Sequence, residues 1–139
     1  MRVQIIAHGR IGRDPEAAIV DRYLARLPWE AEVIELPMTG KAIPPAPPRS
    51  RTMLLDERGE LLDSAGLAGR IGRWRDDGVA TLRFVLGRDD GFSDAERAGA
   101  DGLLSLGRMT WPHMLARAML AEQLWRSAAI LSGHPYHRA

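Results

Sequence analysis

The sequence FVLGRDDGF, from Phe84 to Phe92, decides the fold class, because an apolar, strand-like run ends there at Gly87 and a second glycine follows at Gly91. Ser93 comes next and is typical of a residue that caps the start of a helix. Strands that lead through glycines into helices are typical of parallel α/β sheets, and nucleotide-like ligands bind at such turns. The chain has neither the three-glycine dinucleotide motif nor a Gly-Lys-Ser/Thr phosphate loop, so an ordinary glycine turn is the alternative.

The alternation of strands and helices continues on both sides of this stretch. Apolar periodicity predicts strands at residues 3–7, 32–36, 53–55, 82–86 and 103–106, and helices at residues 15–27, 64–75, 93–99 and about 112–132. This order favours an α/β fold with a mainly parallel sheet flanked by helices. Asp14 is the predicted N-cap of the first helix, and Gly133 is the predicted residue just beyond the last one. The proline-rich segment 39–50 predicts an exposed, partly extended loop.

The composition is typical of a soluble globular protein. With 139 residues, 45% of them apolar and 27% charged, the length predicts one domain of residues 1–139. No run approaches the roughly 20 apolar residues of a membrane span. No leader precedes the first strand, so we expect a cytoplasmic protein without membrane contact. Because there is no cysteine, disulfides, thiol nucleophiles and thiolate metal sites are excluded.

The basic residues are unevenly distributed along the chain. All but one of the 19 are arginine, and residues 102–139 carry four arginines and three histidines against one acid, Glu122. A basic face is the usual electrostatic mark of a nucleic-acid-binding protein, although a GC-rich genome also favours arginine codons.

The last predicted helix, residues 112–132, is apolar almost all round. Such a helix needs cover on more than one face, and a partner subunit is one source of that cover. Glu122 and Arg126 are four residues apart on it. They form an ordinary intrahelical pair, or they face a ligand or a partner.

Two segments near the C-terminus carry groups suited to binding or catalysis. Residues 106–111, LGRMTW, combine a flexible backbone, apolar side chains and one cation, which suits a flat aromatic ligand such as adenine. The alternative is a helix start, with Pro112 in the first turn and Trp111 on the core. The tail GHPYHR, residues 133–138, holds groups that stack on bases, donate to phosphates or transfer protons, although frayed termini are common. A metal site is disfavoured because the two tail histidines have no nearby Cys or acid.

These segments occur in an order that resembles a known family. The pattern consists of Leu86-Gly87-x-x-x-Gly91, then Leu104-Ser105-Leu106 leading through Thr110 to Pro112-His113, then Arg117, Glu122 and Arg126, and last His134-Pro135-Tyr136-His137-Arg138. It resembles the 23S ribosomal RNA pseudouridine N3-methyltransferase family, of the SPOUT class. A weaker likeness reaches the N-terminus, so the resemblance covers most of the chain.

The resemblance implies a SPOUT-type fold, a parallel α/β sheet whose C-terminal segment threads a trefoil knot around S-adenosyl-L-methionine (SAM), in a homodimer with composite active sites. It implies methyl transfer from SAM to N3 of a pseudouridine in a 23S rRNA stem-loop of the assembled ribosome. The SAM-binding positions that it implies are Leu55, Gly87, Leu106, Gly107, Arg108, Met109, Thr110 and Trp111. Tyr136, His137 and Arg138 match the tail implicated in RNA binding and catalysis. In this tail Arg138 or a histidine is a candidate stabiliser of the developing anion, and His137 is also a candidate proton acceptor.

Two departures from the family pattern leave alternatives open. Arg88 stands where the family commonly has a second glycine near the cofactor. After Leu36 the segment is short and proline-rich where relatives carry basic residues, which leaves Lys41, Arg49 and Arg51 to approach rRNA. The alternatives are a SPOUT methyltransferase that acts on another RNA, such as tRNA, and a non-catalytic ribosome- or RNA-binding module, for which Arg88 is the motivation.

Overall fold

Strands and helices alternate throughout the computed structural model, which describes residues 1–38, 42–88 and 90–138. In chain order the elements are β1 (Arg2–His8), α1 (Glu16–Arg26), β2 (Glu30–Leu36), β3 (Ser50–Glu60), α2 (Ser64–Asp76), β4 (Thr81–Leu86), α3 (Asp94–Gly99), β5 (Gly102–Leu104) and α4 (His113–Ser132). Each strand and helix that the periodicity predicts has a counterpart among them.

The five strands form one parallel sheet in the order β2-β1-β4-β3-β5. β4 is buried along its whole length, as expected for a central strand of a parallel sheet that helices cover. The predicted α/β fold with a mainly parallel sheet flanked by helices is therefore confirmed. Because all strands run the same way, their carboxyl ends meet at one edge, which is where such sheets bind ligands. The trefoil knot stays a prediction.

β3 and β5 differ from the predicted strands. β3 runs on to Glu60, because after a bulge beyond Leu55 its polar end pairs again with Leu104 of β5. Gly59 permits this close approach, since a Cβ there would lie 2.6 Å from the carbonyl carbon of Leu103. Apolar alternation stops at Leu55, so the polar half of the strand gave no periodic signal. β5 ends at Leu104, two residues before its predicted end.

The helix ends agree with the predicted caps in two of three cases. The prediction that Asp14 caps α1 is wrong: the N-cap is Pro15 without a side-chain bond, and Asp14 instead accepts the Ala17 amide at its backbone carbonyl, at 2.9 Å. Ser93 does cap α3, in a reciprocal capping box with the glutamate of its first turn. Gly133 ends α4 in the left-handed conformation, with φ of 75°.

A buried arginine anchors the proline-rich segment. Residues 42–49 are mostly exposed and contain no helix or strand, as predicted, whereas residues 39–41 lie outside the described part of the chain. Arg83 of β4 is 5% exposed and donates from Nη1 to the carbonyl oxygen of Pro44 at 2.7 Å. Burial lowers the pKa of Arg83, but a guanidinium stays charged in a protein. The segment is therefore held against the sheet.

α4 packs between α1 and α2, which cover it on two sides. Its buried face consists largely of small and apolar residues, and Gly72 of α2 lets the Leu131 side chain pack closely, since a Cβ there would lie 2.8 Å from Leu131 Cδ2. The expected cover on more than one face is present. Leu115 is nevertheless 36% exposed, so a strip of α4 remains uncovered.

Candidate active site

The carboxyl edge of the sheet opens into a cavity of about 600 Å³, between the ends of β3, β4 and β5 and the segment that leads into α4. This volume is within the range of small-molecule sites, roughly 300–1,000 Å³. Seven of the eight residues predicted to bind a cofactor lie on its wall: Leu55, Gly87, Leu106, Gly107, Met109, Thr110 and Trp111. The fold therefore brings three separate segments of the chain to one cavity.

Residues 106, 107 and 109–111 form an apolar side of this cavity. Met109 is 72% exposed and Trp111 is 38% exposed, so both side chains are accessible to a ligand and Trp111 is not a core residue. Trp111 Nε1 donates to the carbonyl oxygen five residues earlier at 3.3 Å. Gly107 has φ of 120°, which favours glycine, and its amide donates to Oγ of Ser105 at 3.1 Å. These bonds hold the loop open beside the sheet edge.

Arg108 is the predicted cofactor residue that is not on the cavity wall. Its side chain is exposed, and its Nη1 donates to the backbone carbonyl of Glu57 in β3. This contact ties the loop to the strand on the opposite side of the cavity. In this arrangement Arg108 shapes the site from outside.

The turn between β4 and α3 places Gly87 against a buried ring. A Cβ at Gly87 would lie 3.0 Å from Cζ of Phe92, so the packing of that ring favours a glycine whether or not a ligand is bound. Arg88 pairs with Glu96 at 3.0 Å and with Asp90 at 3.5 Å. Burial acts to raise the pKa of Glu96, but the capping bonds and Arg88 lower it below its usual value. Arg88, which stands in place of the family's glycine, is thus held by two carboxylates while it lines the cavity.

A buried ion pair on the cavity wall was missed at the sequence level. Asp56 follows Leu55 directly at the bend of β3, its side chain is 5% exposed, and its Oδ2 accepts from Nε of Arg97 at 2.6 Å. Its Oδ1 accepts the Arg58 amide at 2.9 Å. Burial acts to raise the pKa of Asp56, but these two partners lower it, so the carboxyl is ionised. The position of Asp56, next to a predicted cofactor residue at the carboxyl end of a strand, was the available signal.

The C-terminal tail is docked on α4. Tyr136 Oη donates to Oε1 of Glu122 at 3.0 Å, and the Arg126 guanidinium lies 4.9 Å from the centre of the Tyr136 ring. Trp125 contacts the same ring at a centroid distance of 5.7 Å. Nη1 of Arg126 lies 3.0 Å from Nδ1 of His137. A frayed end, the alternative reading of this segment, does not fit these contacts.

Glu122 is the centre of this tail cluster. The predicted intrahelical pair with Arg126 is confirmed, with 2.6 Å between Glu122 Oε1 and Arg126 Nη2, and Glu122 binds the tail as well. The hydrogen bond with Tyr23, burial and the bond to Glu122 together raise the pKa of Tyr136 to about 12. Tyr136 therefore stays a neutral donor at physiological pH.

A buried arginine fixes the start of α4 relative to the sheet. Arg117 is 1% exposed, and its guanidinium donates to Oε2 of Glu35 in β2 at 2.6 Å and to the carbonyl of Gly9 at 3.1 Å. Glu35 also accepts the Ile11 amide at 2.8 Å. Burial acts to raise the pKa of Glu35, but the Ile11 amide and Arg117 lower it. The first turn of α4, which borders the cavity, is held in this way.

The cavity and the tail lie apart within one subunit. Among the residues that the structure describes, the cavity wall includes none of Tyr136, His137 and Arg138. From Ala116, on the wall, to Arg126, which binds the tail, α4 advances ten residues, or about 15 Å. The residues predicted to act together therefore lie in two places within one subunit, the cavity near the start of α4 and the tail on a later part of α4.

Two classes of feature are not found in the described ranges 1–38, 42–88 and 90–138. No helix there has the length and hydropathy needed to cross a membrane. No group of three or more His, Cys, Asp or Glu side chains is placed there to hold a metal ion.

Comparison with known proteins gives consistent matches along the chain. The family model described as "Predicted SPOUT methyltransferase" matches residues 1–137. Curated proteins with the name "Ribosomal RNA large subunit methyltransferase H" are similar over their whole lengths. The protein of Rhizorhabdus wittichii is 54% identical over 138 residues, that of Novosphingobium aromaticivorans 55% identical over 139 residues, and that of Paramagnetospirillum magneticum 44% identical over 151 residues, each alignment covering 99% of both chains.

The chain therefore belongs to the SPOUT methyltransferase family. Members of this family are enzymes that use SAM as the methyl donor. The fold and the cavity are consistent with this membership, since the cavity lies at the carboxyl edge of a parallel sheet and its wall holds the loop segments predicted for the cofactor.

Proposed function

We propose that this chain transfers the methyl group of SAM to N3 of a pseudouridine in a 23S rRNA stem-loop of the assembled ribosome, in the cytoplasm. The observation that carries the proposal is the cavity of about 600 Å³ that collects Leu55, Gly87 and all of the segment 106–111 except Arg108 at the sheet edge. The substrate rests on the relatives, which are named for the RNA of the large ribosomal subunit.

The residues present fit the cofactor. The apolar side of the cavity, with Met109 and Trp111 accessible, suits the adenine ring, and the adjacent backbone offers polar groups to its edge. SAM supplies a methyl group bound to a sulfonium sulfur. When a nucleophile attacks the methyl carbon, the sulfur leaves as a neutral thioether. Leu55 and Gly87 would hold the cofactor from the strand ends, and the segment 106–111 would hold it from the loop.

The tail would act on the RNA side of the reaction. The N3 proton of the base must leave as the new C–N bond forms, and an imide N–H is acidic enough to lose it to solvent once the anion is stabilised. A guanidinium only donates, so Nδ1 of His137 accepts from Arg126 and the ring proton is on Nε2. His137 would therefore donate to the developing anion, which is the first of the two roles expected for a tail histidine, and would not accept the proton. Arg138 would bind the anion or a phosphate.

A homodimer would bring the tail to the cofactor. A second cavity, of about 670 Å³, lies on the other side of Leu106 and Gly107 and extends to Glu122, the tail's anchor. Leu61, 59% exposed, and Leu115, 36% exposed, give it an apolar rim. A second copy seated here would cover these side chains and place its own tail next to the first copy's cofactor cavity, which gives the composite site that the family resemblance implies.

The first experiment removes residues 136–139 and measures two properties. We expect methyl transfer from labelled SAM to ribosomes to be abolished, while SAM affinity in calorimetry is largely retained, because the cavity wall contains none of the three described tail residues. The full-length chain is the control. Unimpaired transfer by the truncated chain would remove the tail from the mechanism.

The second experiment tests whether the site is shared between subunits. Thr110→Trp, at an exposed position on the cavity wall, would fill the cofactor space and abolish SAM binding. Mixing this variant with the chain that lacks residues 136–139 forms dimers in which one cavity and one tail are intact. We expect transfer to recover in the mixture if these meet across the interface. No recovery, with mixed dimers shown to form, would mean that each subunit uses its own tail.

Calorimetric measurement of SAM binding also tests the alternative that the chain is a non-catalytic binding module. Arg88, the motivation for that alternative, is held by Glu96 and Asp90 and leaves a cavity of ligand size. We expect SAM to bind to the full-length chain. A protein that binds ribosomes but shows no heat of SAM binding would be a module without cofactor use.

A further inference from the structure

The cofactor cavity has a charged part as well as an apolar part. The loop contributes Met109 and Trp111, whereas the end of β3 and the β4–α3 region contribute Asp56, Arg97 and Arg88. SAM has a matching division, since its adenine is apolar and flat while its methionyl end carries a carboxylate and an ammonium group. We therefore expect the adenine to lie beside the apolar residues and the methionyl end to lie beside the charged residues.

The Arg97 guanidinium is fixed in place with donors to spare. Nε donates to the buried Asp56 carboxylate at 2.6 Å, and Nη1 lies 3.5 Å from Asp94, which is fully exposed. A guanidinium has five N–H donors in a planar fork, so these contacts use a minority of them. Nη2 of Arg97 would lie 3.9 Å from a Cβ at Gly91, which places the free edge of the fork beside the glycine turn.

We infer that Arg97, positioned by Asp56, binds the carboxylate of the cofactor's methionyl group and so makes the site selective for ligands that carry it. This assignment rests on the proposed function of the cavity as the cofactor site, and it identifies the side chain that binds one end of the cofactor. Charge-assisted bonds between a guanidinium fork and a carboxylate are short, strong and geometrically selective. Asp56 keeps the fork aimed because its own carboxylate is held by the Arg58 amide at 2.9 Å.

Two other arginines border the cavity and are less suited to this role. Arg88 is paired with Glu96, which is itself part of the α3 capping box, and with Asp90. The side chain of Arg58 is 68% exposed, so a carboxylate bound to it would remain largely hydrated. Arg97 resembles Arg88 in exposure, 21% against 19%, and in having a second, exposed carboxylate at 3.5 Å. It differs in its close partner, because Asp56 is 5% exposed whereas Glu96 is 20% exposed, and the bond to Asp56 is the shorter one.

The test compares two ligands that differ only in the carboxylate: SAM and decarboxylated SAM. Calorimetry measures both affinities for the full-length chain, for Arg97→Gln and for Arg88→Gln as the matched control. We expect the unchanged chain to bind SAM roughly 10- to 100-fold more tightly than the decarboxylated ligand, as for a hydrogen bond to a charged group. Arg97→Gln is expected to bind both ligands alike, and Arg88→Gln to keep the preference.

Each other outcome has a definite meaning. Equal affinities in the unchanged chain, a preference that survives in Arg97→Gln, or a preference lost in Arg88→Gln instead would overturn the assignment of Arg97. Binding of neither ligand to the unchanged chain would overturn the proposed cofactor cavity itself. If Arg97→Gln fails to fold by circular dichroism, Arg97→Lys replaces it, and we expect that single cation to keep only part of the preference.

Discussion

Removing one member of the buried pair between Arg117 and Glu35 should reveal how α4 is held on the sheet. Glu35→Ala leaves a guanidinium that is 1% exposed with the Gly9 carbonyl as its other bonded partner. Breaking a buried ion pair from one side costs about 3–5 kcal/mol. Arg117→Met removes the cation and leaves a carboxylate whose side chain is 33% exposed and still bonded to the Ile11 amide, so we expect about 1–3 kcal/mol.

The assay is urea and thermal unfolding of the single variants and of the double variant. For a chain of 139 residues, 1 kcal/mol corresponds to roughly 4 °C in Tm, so Glu35→Ala should lower Tm by roughly 12–20 °C. The double variant buries no unpaired charge and should be more stable than Glu35→Ala alone. Glu32→Ala is the matched control, because Glu32 is on the same strand and forms an exposed bond to Gln4. A smaller loss of stability in Glu35→Ala than in Arg117→Met, or a double variant that is the least stable, would show that the buried guanidinium does not depend on Glu35.

Three further predictions concern the site. Gly87→Ala should cost about 1–3 kcal/mol of unfolding free energy by overpacking the Phe92 ring, measured by urea unfolding, whereas Gly69→Ala, with open space at its Cβ inside α2, should be neutral or stabilising. The pKa of Asp56 is lowered from 3.8, so its contribution to stability is present above that pH and lost as the pH falls below it; Asp56→Asn should flatten this part of the stability–pH curve, and an unchanged slope would contradict the pairing. In the transfer assay, His137→Gln, which keeps a donor, should retain more activity than His137→Ala, and equal losses would argue against a donor role.

The sequence was sufficient to predict the fold class because the signals were periodic and local. Short apolar runs indicated the strands, and Ser93 and Gly133 indicated two helix ends correctly. The cap prediction was wrong at Asp14, because its backbone carbonyl, and not its side chain, accepts the hydrogen bond. The second half of β3 was not predicted, because its pairing depends on the absence of a Cβ at Gly59 and not on apolar alternation.

Some residues of the candidate site were likewise predicted from the sequence, and others were not. Leu55, Gly87 and the segment 106–111 were named through the family resemblance, and all but Arg108 line one cavity. Asp56 and Arg97 were not named, because an ion pair between residues 41 positions apart leaves no local pattern. The separation of the tail from the cavity was also beyond the sequence, since it depends on how Glu122 and Arg126 bind the tail in three dimensions.

The proposed methyl transfer can be tested in cells by mapping methylated nucleotides in rRNA by mass spectrometry, with and without the protein. We expect one methyl group, on N3 of a pseudouridine in 23S rRNA, that is present with the protein, absent without it and restored when the gene is returned. An unchanged 23S rRNA, or a methyl group lost from tRNA instead, would contradict this proposal.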